Sequence, residues 1–189
     1  MDEQPPIFYL VAGNNGAGKT TFIDQVLKGL AELVNTDIIA AARGKGDIDA
    51  GREALKKINQ FIKTGQSFIY ETTLSGKTPE NLVTKAKNKG FEVNFVYLGL
   101  NAPEMYQERV KERVKEGGHD VPAGVIKRRY EKSLKNAETM IKKVDTSTFF
   151  DNTRPERDLL FIQNGRKRFQ YVEKLPAWVK GFRKCGSSI

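Results

Sequence analysis

Cysteine is almost absent. Cys185, close to the end of the chain, is the only one, so no disulfide can form within the molecule and the composition fits a reducing cytoplasm. At that position a solvated tail residue is favoured over a reactive thiol. Long hydrophobic runs are missing as well: none approaches the roughly 20 residues of a membrane span. The opening MDEQPP reads as no signal peptide, and no membrane partner is expected. No internal repeat and no low-complexity linker interrupts the chain. Its 189 residues therefore read as a single domain, 1–189, long enough to bury a substantial core. Hydrophobic residues at 39% beside 29% charged ones describe a globular protein rather than a disordered one.

Negative charge is the scarcer sign. Thirty-two Lys and Arg face 23 Asp and Glu, a formal charge of +9, which suits nucleic acid, an acidic surface or phosphorylated small molecules. The basic residues crowd into 109–143 and 166–184 rather than into a terminal arm. No RNP-type motif with interleaved aromatics is present. Nucleic acid is thereby disfavoured as a partner, though it stays open.

What is present is concentrated at residues 9–22, YLVAGNNGAGKTTF. Gly13-Asn14-Asn15-Gly16-Ala17-Gly18-Lys19-Thr20 fits G-x-x-x-x-G-K-[ST], with Thr21 following. The apolar run Ile7–Ala12 before it reads as a buried strand. Phe22, Ile23, Val26, Leu27 and Leu30 after it recur at helical spacing. A strand thus turns through glycines into a helix N-terminus whose free N–H groups face a phosphate. Lys19 is expected to reach the β- and γ-phosphates of ATP and the Thr20 hydroxyl to ligate Mg²⁺.

Strand-like and helical patterns alternate along the chain, the signature of an α/β fold with a mostly parallel sheet flanked by helices, here of the three-layer P-loop NTPase type. Further strands are expected at 33–35, 67–70, 93–98 and 148–150. Helices are expected at 51–63 (with Asp49 as candidate cap), 79–89, 103–116 and 123–143, and a C-terminal β-hairpin at 159–174 turning at Asn164-Gly165. The residues after Pro176 carry no readable pattern.

Ligands of parallel sheets gather at the carboxyl ends of the strands. Asp37 and Glu71 each follow or end a strand, so they are expected to meet the phosphate loop in one crevice. There Asp37 is the candidate proton acceptor for a substrate hydroxyl, and Glu71 a candidate Mg²⁺-side acid. Thr72, Thr73 and Ser75 supply hydroxyls beside it. The plainer reading of Asp37 is a cap on the next helix.

The helical pair at 104–143 reads as a lid with a glycine corner at Gly117-Gly118. Tyr106, Val110 and Val114 form one apolar stripe, and Ile126, Tyr130, Leu134, Ala137 and Ile141 another. Arg109 and Arg113 share a helix face; Arg129 borders its stripe, whereas Arg128 points away. Arg113 and Arg129 are therefore candidates to stabilise transferring phosphate, against the plainer reading of a solvated basic face. For His119, the one histidine, a turn-forming role is favoured over proton transfer.

Taken in order, AGNNGAGKTTF, VNTDIIA, AGREAL, FIYETTLSG, RVKERVKEGGHDVPAGVIKRRYEKSLKN and FFDNT resemble the zeta-toxin family of P-loop kinases, over about residues 7–153. The resemblance is to its short, stand-alone branch. It implies ATP- and Mg²⁺-dependent phosphorylation of a sugar hydroxyl of UDP-N-acetylglucosamine, with Asp37 as base and Glu71, Thr73 and their neighbour Thr72 on the substrate side. Arg52 in AGREAL joins them as a substrate-binding candidate. The lid arginines would lie on the phosphates, Asn152 in the adenine-side loop, and an antitoxin protein would be a partner. The lid-arginine spacing and the ARGKGDID segment depart from the family pattern, which bears on the acceptor more than on the kinase chemistry. The expectation is a cytoplasmic kinase for a small hydroxylated metabolite such as a UDP-sugar. The alternatives are a polynucleotide or RNA-end kinase and a non-catalytic ATP-dependent switch.

Overall fold

The computed structural model describes residues 4–43, 47–118 and 120–182; His119 and Cys185 lie outside the described residues. Five strands, β1 (Ile7–Ala12), β2 (Glu32–Asn35), β3 (Phe68–Thr72), β4 (Glu92–Gly99) and β5 (Thr146–Asp151), run parallel in the spatial order β2-β3-β1-β4-β5. The C-terminal hairpin, β6 (Asp158–Asn164) and β7 (Lys167–Gln170), extends the same sheet antiparallel from β5. Its two-residue turn is Gly165-Arg166, because Asn164 still pairs with Lys167; the expected Asn164-Gly165 turn is off by one. Gly165, at φ 55°, takes the first left-handed position such a turn requires.

The helices are α1 (Lys19–Phe22), continued by a π-helical stretch Ile23–Leu27, then α2 (Thr36–Arg43), α3 (Asp47–Thr64), α4 (Thr78–Lys87), α5 (Pro103–Lys115) and α6 (Ala123–Met140). They cover both faces of the sheet. Alternation along β1 sends Phe8 and Leu10 to one face, against Ile58 and Phe61 of α3 and Val83 of α4; Val11 goes to the other, against Phe22, Ile23, Tyr106 and Val110. Leu10, Val11 and Ala12 are fully buried, as the middle of a parallel sheet requires. Helix α6 contributes Ile126 to the second cluster and Ala137 and Met140 to the first. It therefore passes from one face to the other across the carboxyl ends of the strands. Among the described residues no helix is long and apolar enough to cross a membrane.

Several expectations need correction. The helical stripe after the phosphate loop stops at Leu27; Val26 and Leu30 are 51% and 58% exposed. Val114 is likewise exposed at the end of α5. Helix α2 has no counterpart among the expected helices: it is a short run begun by a side-chain cap rather than by an apolar repeat. Asp49 lies inside α3 and pairs with Arg52 instead of capping. The patternless tail is part of the core. Trp178, Val179 and Phe182 are buried, the Trp178 ring lies against Gly99 and 5.8 Å from the Tyr97 ring, and its Nε1 donates to Asp151 Oδ2 at 3.2 Å.

Trp178→Ala is expected to cost about 3–5 kcal/mol in urea unfolding, as large-to-small core changes do. A loss below about 1 kcal/mol would show that the tail only rests on the sheet.

Candidate functional site

Parallel strands deliver their succeeding loops to one edge of the sheet. After β1 the chain enters the phosphate loop, which is clasped from two sides. Gly16 sits at φ +84° with its α-carbon against α5; a Cβ there would stand 2.7 Å from the Tyr106 carbonyl oxygen. Gly18, at φ +86°, has no room for a Cβ beside the Asn152 amide. That amide donates to the Ala17 carbonyl (2.9 Å), and Arg109 donates to the carbonyls of Asn152 (2.8 Å) and Thr153 (3.2 Å). Asn152 is thus brought directly onto the loop. Arg109, to which the sequence pattern assigns no role, holds the segment that carries it.

Lys19 is buried at the centre. Its Nζ donates to the Asn14 carbonyl (3.2 Å) and lies 3.7 Å from Glu71 Oε1. Burial pulls its pKa below the usual lysine value; Glu71, then Asp37, push it back up, while Arg113 and Arg129 push it further down. Four charged side chains from four different segments therefore act on this one ammonium. The buried Glu71 carboxylate accepts from the Thr20 hydroxyl, 3.1 Å from each of its oxygens, and from Asn35 Nδ2 at 2.6 Å.

Asn35 carries no signal that sequence reasoning could use. It is buried at the end of β2, opposite Glu71 in register. Its Oδ1 accepts from the N–H groups of Asp37 (2.7 Å) and Ile38 (3.2 Å), so Asn35, not Asp37, caps α2. The Asp37 carboxylate is left exposed in the first turn of that helix, near enough to act electrostatically on Lys19.

After β3, Leu74 is the one described non-glycine residue with positive φ (56°), although its side chain is fully buried. Thr72 Oγ1 accepts from its N–H (3.1 Å), Thr73 and Ser75 share a hydrogen bond (3.0 Å), and Asn136 of α6 donates to the carbonyls of Leu74 (2.8 Å) and Gly76 (3.3 Å). Asn136 has no signal in the sequence. The same helix reaches the phosphate loop: Arg129 donates to Asn15 Oδ1 (2.9 Å), and Asn14 Nδ2 to the Ile126 carbonyl (3.0 Å). Arg128 is exposed, as its helical position implies. Thr21 is exposed on α1. Arg52 is not brought into this group; it is 78% exposed and pairs with Asp49 at 3.5 Å.

These residues fit a magnesium nucleotide. The loop follows the phosphate-binding pattern, with glycines packed too closely on Leu98, Tyr106 and Asn152 to admit a Cβ, and Thr20 with Glu71 offers hard oxygen donors. Among the described residues no group of three or more His, Cys, Asp or Glu could hold a metal. Magnesium held by one or two protein oxygens together with phosphates needs none. A cavity of about 510 Å³ lies elsewhere, by Asp151, Arg154, Lys174 and Lys180. It includes none of the charged groups around Lys19.

The family model described as Zeta toxin matches residues 47–168. That stretch includes Glu71, Arg113, Arg129 and Asn152, whereas Lys19, Thr20 and Asp37 precede it. An uncharacterized protein of Haemophilus influenzae (strain Rd) is 36% identical over 129 residues, 66% of this chain and 91% of that protein. Solved structures similar in fold include the following two. The AvrRxo1-ORF1:-ORF2 complex with ATP has a TM-score of 0.70 at 16% identity, over 89% of this chain and 61% of the other, so this chain spans about three-fifths of that one. The PezAT chromosomal toxin-antitoxin system of Streptococcus pneumoniae has a TM-score of 0.63 at 18% identity, over 86% and 72%.

Gly16→Ala is expected to lower stability by about 1–3 kcal/mol, since it forces a strained φ and pushes α5 from the loop. The same change at Gly124, which has open space around it, is expected to be neutral or to gain up to about 1 kcal/mol from helix propensity. Thermal unfolding of the two variants checks the contrast.

Proposed function

Because the chain belongs to the zeta-toxin family, we propose that it is an ATP- and Mg²⁺-dependent kinase that phosphorylates a hydroxyl of a small metabolite. The acceptor implied by that family is a UDP-sugar such as UDP-N-acetylglucosamine. The observation that carries the reading is the pair of carboxylates, Glu71 buried against Lys19 and Thr20, and Asp37 open to solvent beside them. A pure nucleotide switch has no use for a second, solvent-facing carboxylate.

Lys19, short of negative charge, holds phosphate oxygens of ATP in the cradle of residues 13–20. Thr20 and Glu71 would hold Mg²⁺, which neutralises phosphate charge when bound. Asp37 takes the proton of the acceptor hydroxyl as that oxygen bonds to the γ-phosphorus. The bond from the γ-phosphorus to its bridging oxygen breaks, and the electron pair leaves with ADP. Helices α5 and α6 serve as the lid, and Arg113 and Arg129 stabilise the transferring phosphoryl group. For Arg129 this means exchanging the neutral Asn15 amide oxygen for a charged partner, a stronger bond. Asn152 belongs to the adenine side. The single cysteine supports a cytoplasmic setting, and the toxin-antitoxin character of PezAT supports an antitoxin protein as partner. The +9 charge favours a second reading, phosphorylation of RNA ends, which the same experiment addresses.

Incubated with γ-labelled ATP and Mg²⁺, the protein is expected to label a member of a UDP-sugar panel. Asp37→Asn should lower transfer by about 10²–10⁴-fold while leaving nucleotide binding nearly unchanged. Label found only in inorganic phosphate would overturn the acceptor assignment, and label on RNA ends that weakens steeply with salt would establish the second reading. Arg113→Ala and Arg129→Ala should each reduce kcat on the order of 10³-fold, with a much smaller change in the KM for ATP.

A further inference from the structure

We propose that Asn35 is a positioning residue for phosphoryl transfer, its side-chain amide holding the Glu71 carboxylate and the Asp37 turn in fixed relation to each other. The inference rests on the kinase reading above.

Both ends of the amide are in use. Nδ2 donates to Glu71 Oε2 at 2.6 Å; Oδ1 accepts from the N–H of Asp37 at 2.7 Å and of Ile38 at 3.2 Å. The residue is only 7% exposed, so water does not readily replace these partners. Parallel pairing of β2 with β3 sets Asn35 directly opposite Glu71, which makes the short bond to Oε2 a consequence of strand register. With Oε2 engaged by Asn35 and the Thr20 hydroxyl 3.1 Å from both oxygens, Oε1 is turned toward Lys19 Nζ. On its other side Asn35 begins the first turn of α2 and so sets the direction in which Asp37 leaves the backbone. One neutral group thereby links the metal-side acid to the proton acceptor.

Few side chains do both. Serine and aspartate cap helices about as well as asparagine. Serine has a single oxygen in place of the donor and acceptor ends of the amide. Aspartate brings a second negative charge onto Glu71. An asparagine that served only as a cap would be interchangeable with serine.

Asn35→Ser tests the difference. It keeps the cap and is expected to leave Tm close to that of the unaltered protein. It withdraws the Nδ2 donor from Glu71, because one hydroxyl on a shorter side chain cannot stand at both ends of the amide, and loss of such an outer partner lowers metal affinity or activity about 10–100-fold. The expected results are a fall of that size in kcat with a much smaller change in the KM for ATP, and a rise of about tenfold in the Mg²⁺ concentration needed for half-maximal ATP binding in calorimetry. In a Glu71→Gln background the serine should add little to the loss of Mg²⁺·ATP binding, because its effect passes through Glu71. An Asn35→Ser protein with unaltered Mg²⁺ dependence and kcat, or with losses that merely follow Tm, would overturn the inference alone. Failure of the unaltered protein to bind Mg²⁺·ATP would overturn the kinase reading and this inference with it.

Discussion

A lysine ammonium buried at the end of three parallel strands is the constraint on which the rest of this structure depends. Burial disfavours its charge, and the Glu71 carboxylate beside it compensates only in part, so Lys19 keeps a lowered pKa. Such a buried pair has a weak claim to stabilising the fold, because the desolvation of two ions offsets much of their attraction. Its presence is better explained by what it prepares. Arg113 and Arg129 add positive charge around the same ammonium, and the whole group is electrostatically incomplete until an anion joins it. The phosphate loop, with its close-packed glycines, runs beside this charged group.

Helix α6 turns this crevice into a mechanical unit. Near its start it is bonded to the phosphate loop through Ile126 and Arg129; ten residues after Ile126, Asn136 is bonded to the segment that follows Glu71. The phosphate loop and the loop after Glu71 are therefore both bonded to one helix. Leu74, left-handed and fully buried, lies at the far contact. Such a conformation costs of order 1–3 kcal/mol and persists only where surroundings hold it. Here those surroundings are the core packing around its side chain and the Asn136 amide. The Asn136 amide thereby ties α6 to the loop that follows Glu71.

The end of β5 shows the same economy. Asp151 accepts from the Trp178 indole through one oxygen and from the Thr153 N–H through the other, so the packing of the C-terminal segment and the shape of the 152–153 loop are joined in one buried carboxylate. Arg109 closes that loop from α5, and Asn152 passes the arrangement on to the phosphate loop. What looks like a terminal extension is connected, through Asp151, Thr153, Arg109 and Asn152, to the phosphate loop.

The amino-acid sequence by itself determined the strand–loop–helix of residues 7–27, the order of the parallel strands' neighbours in the chain, the helical pair of α5 and α6, and the identity of Lys19, Thr20, Asp37 and Glu71 as groups at strand ends. These are local matters: period, glycine placement and the rule that parallel strands end together. Tertiary structure decided what no local pattern carries. Asn35 matters because register sets it opposite Glu71, Asn136 because α6 crosses the strand ends, and Arg109 because a loop 43 residues away returns to it. Arg52, a plausible ligand by motif, faces solvent because α3 turns it there. Trp178 is buried because β4 ends in a glycine that leaves its ring a place. Hydrogen bonds between side chains far apart in sequence leave no periodicity behind, so only the folded chain reveals them.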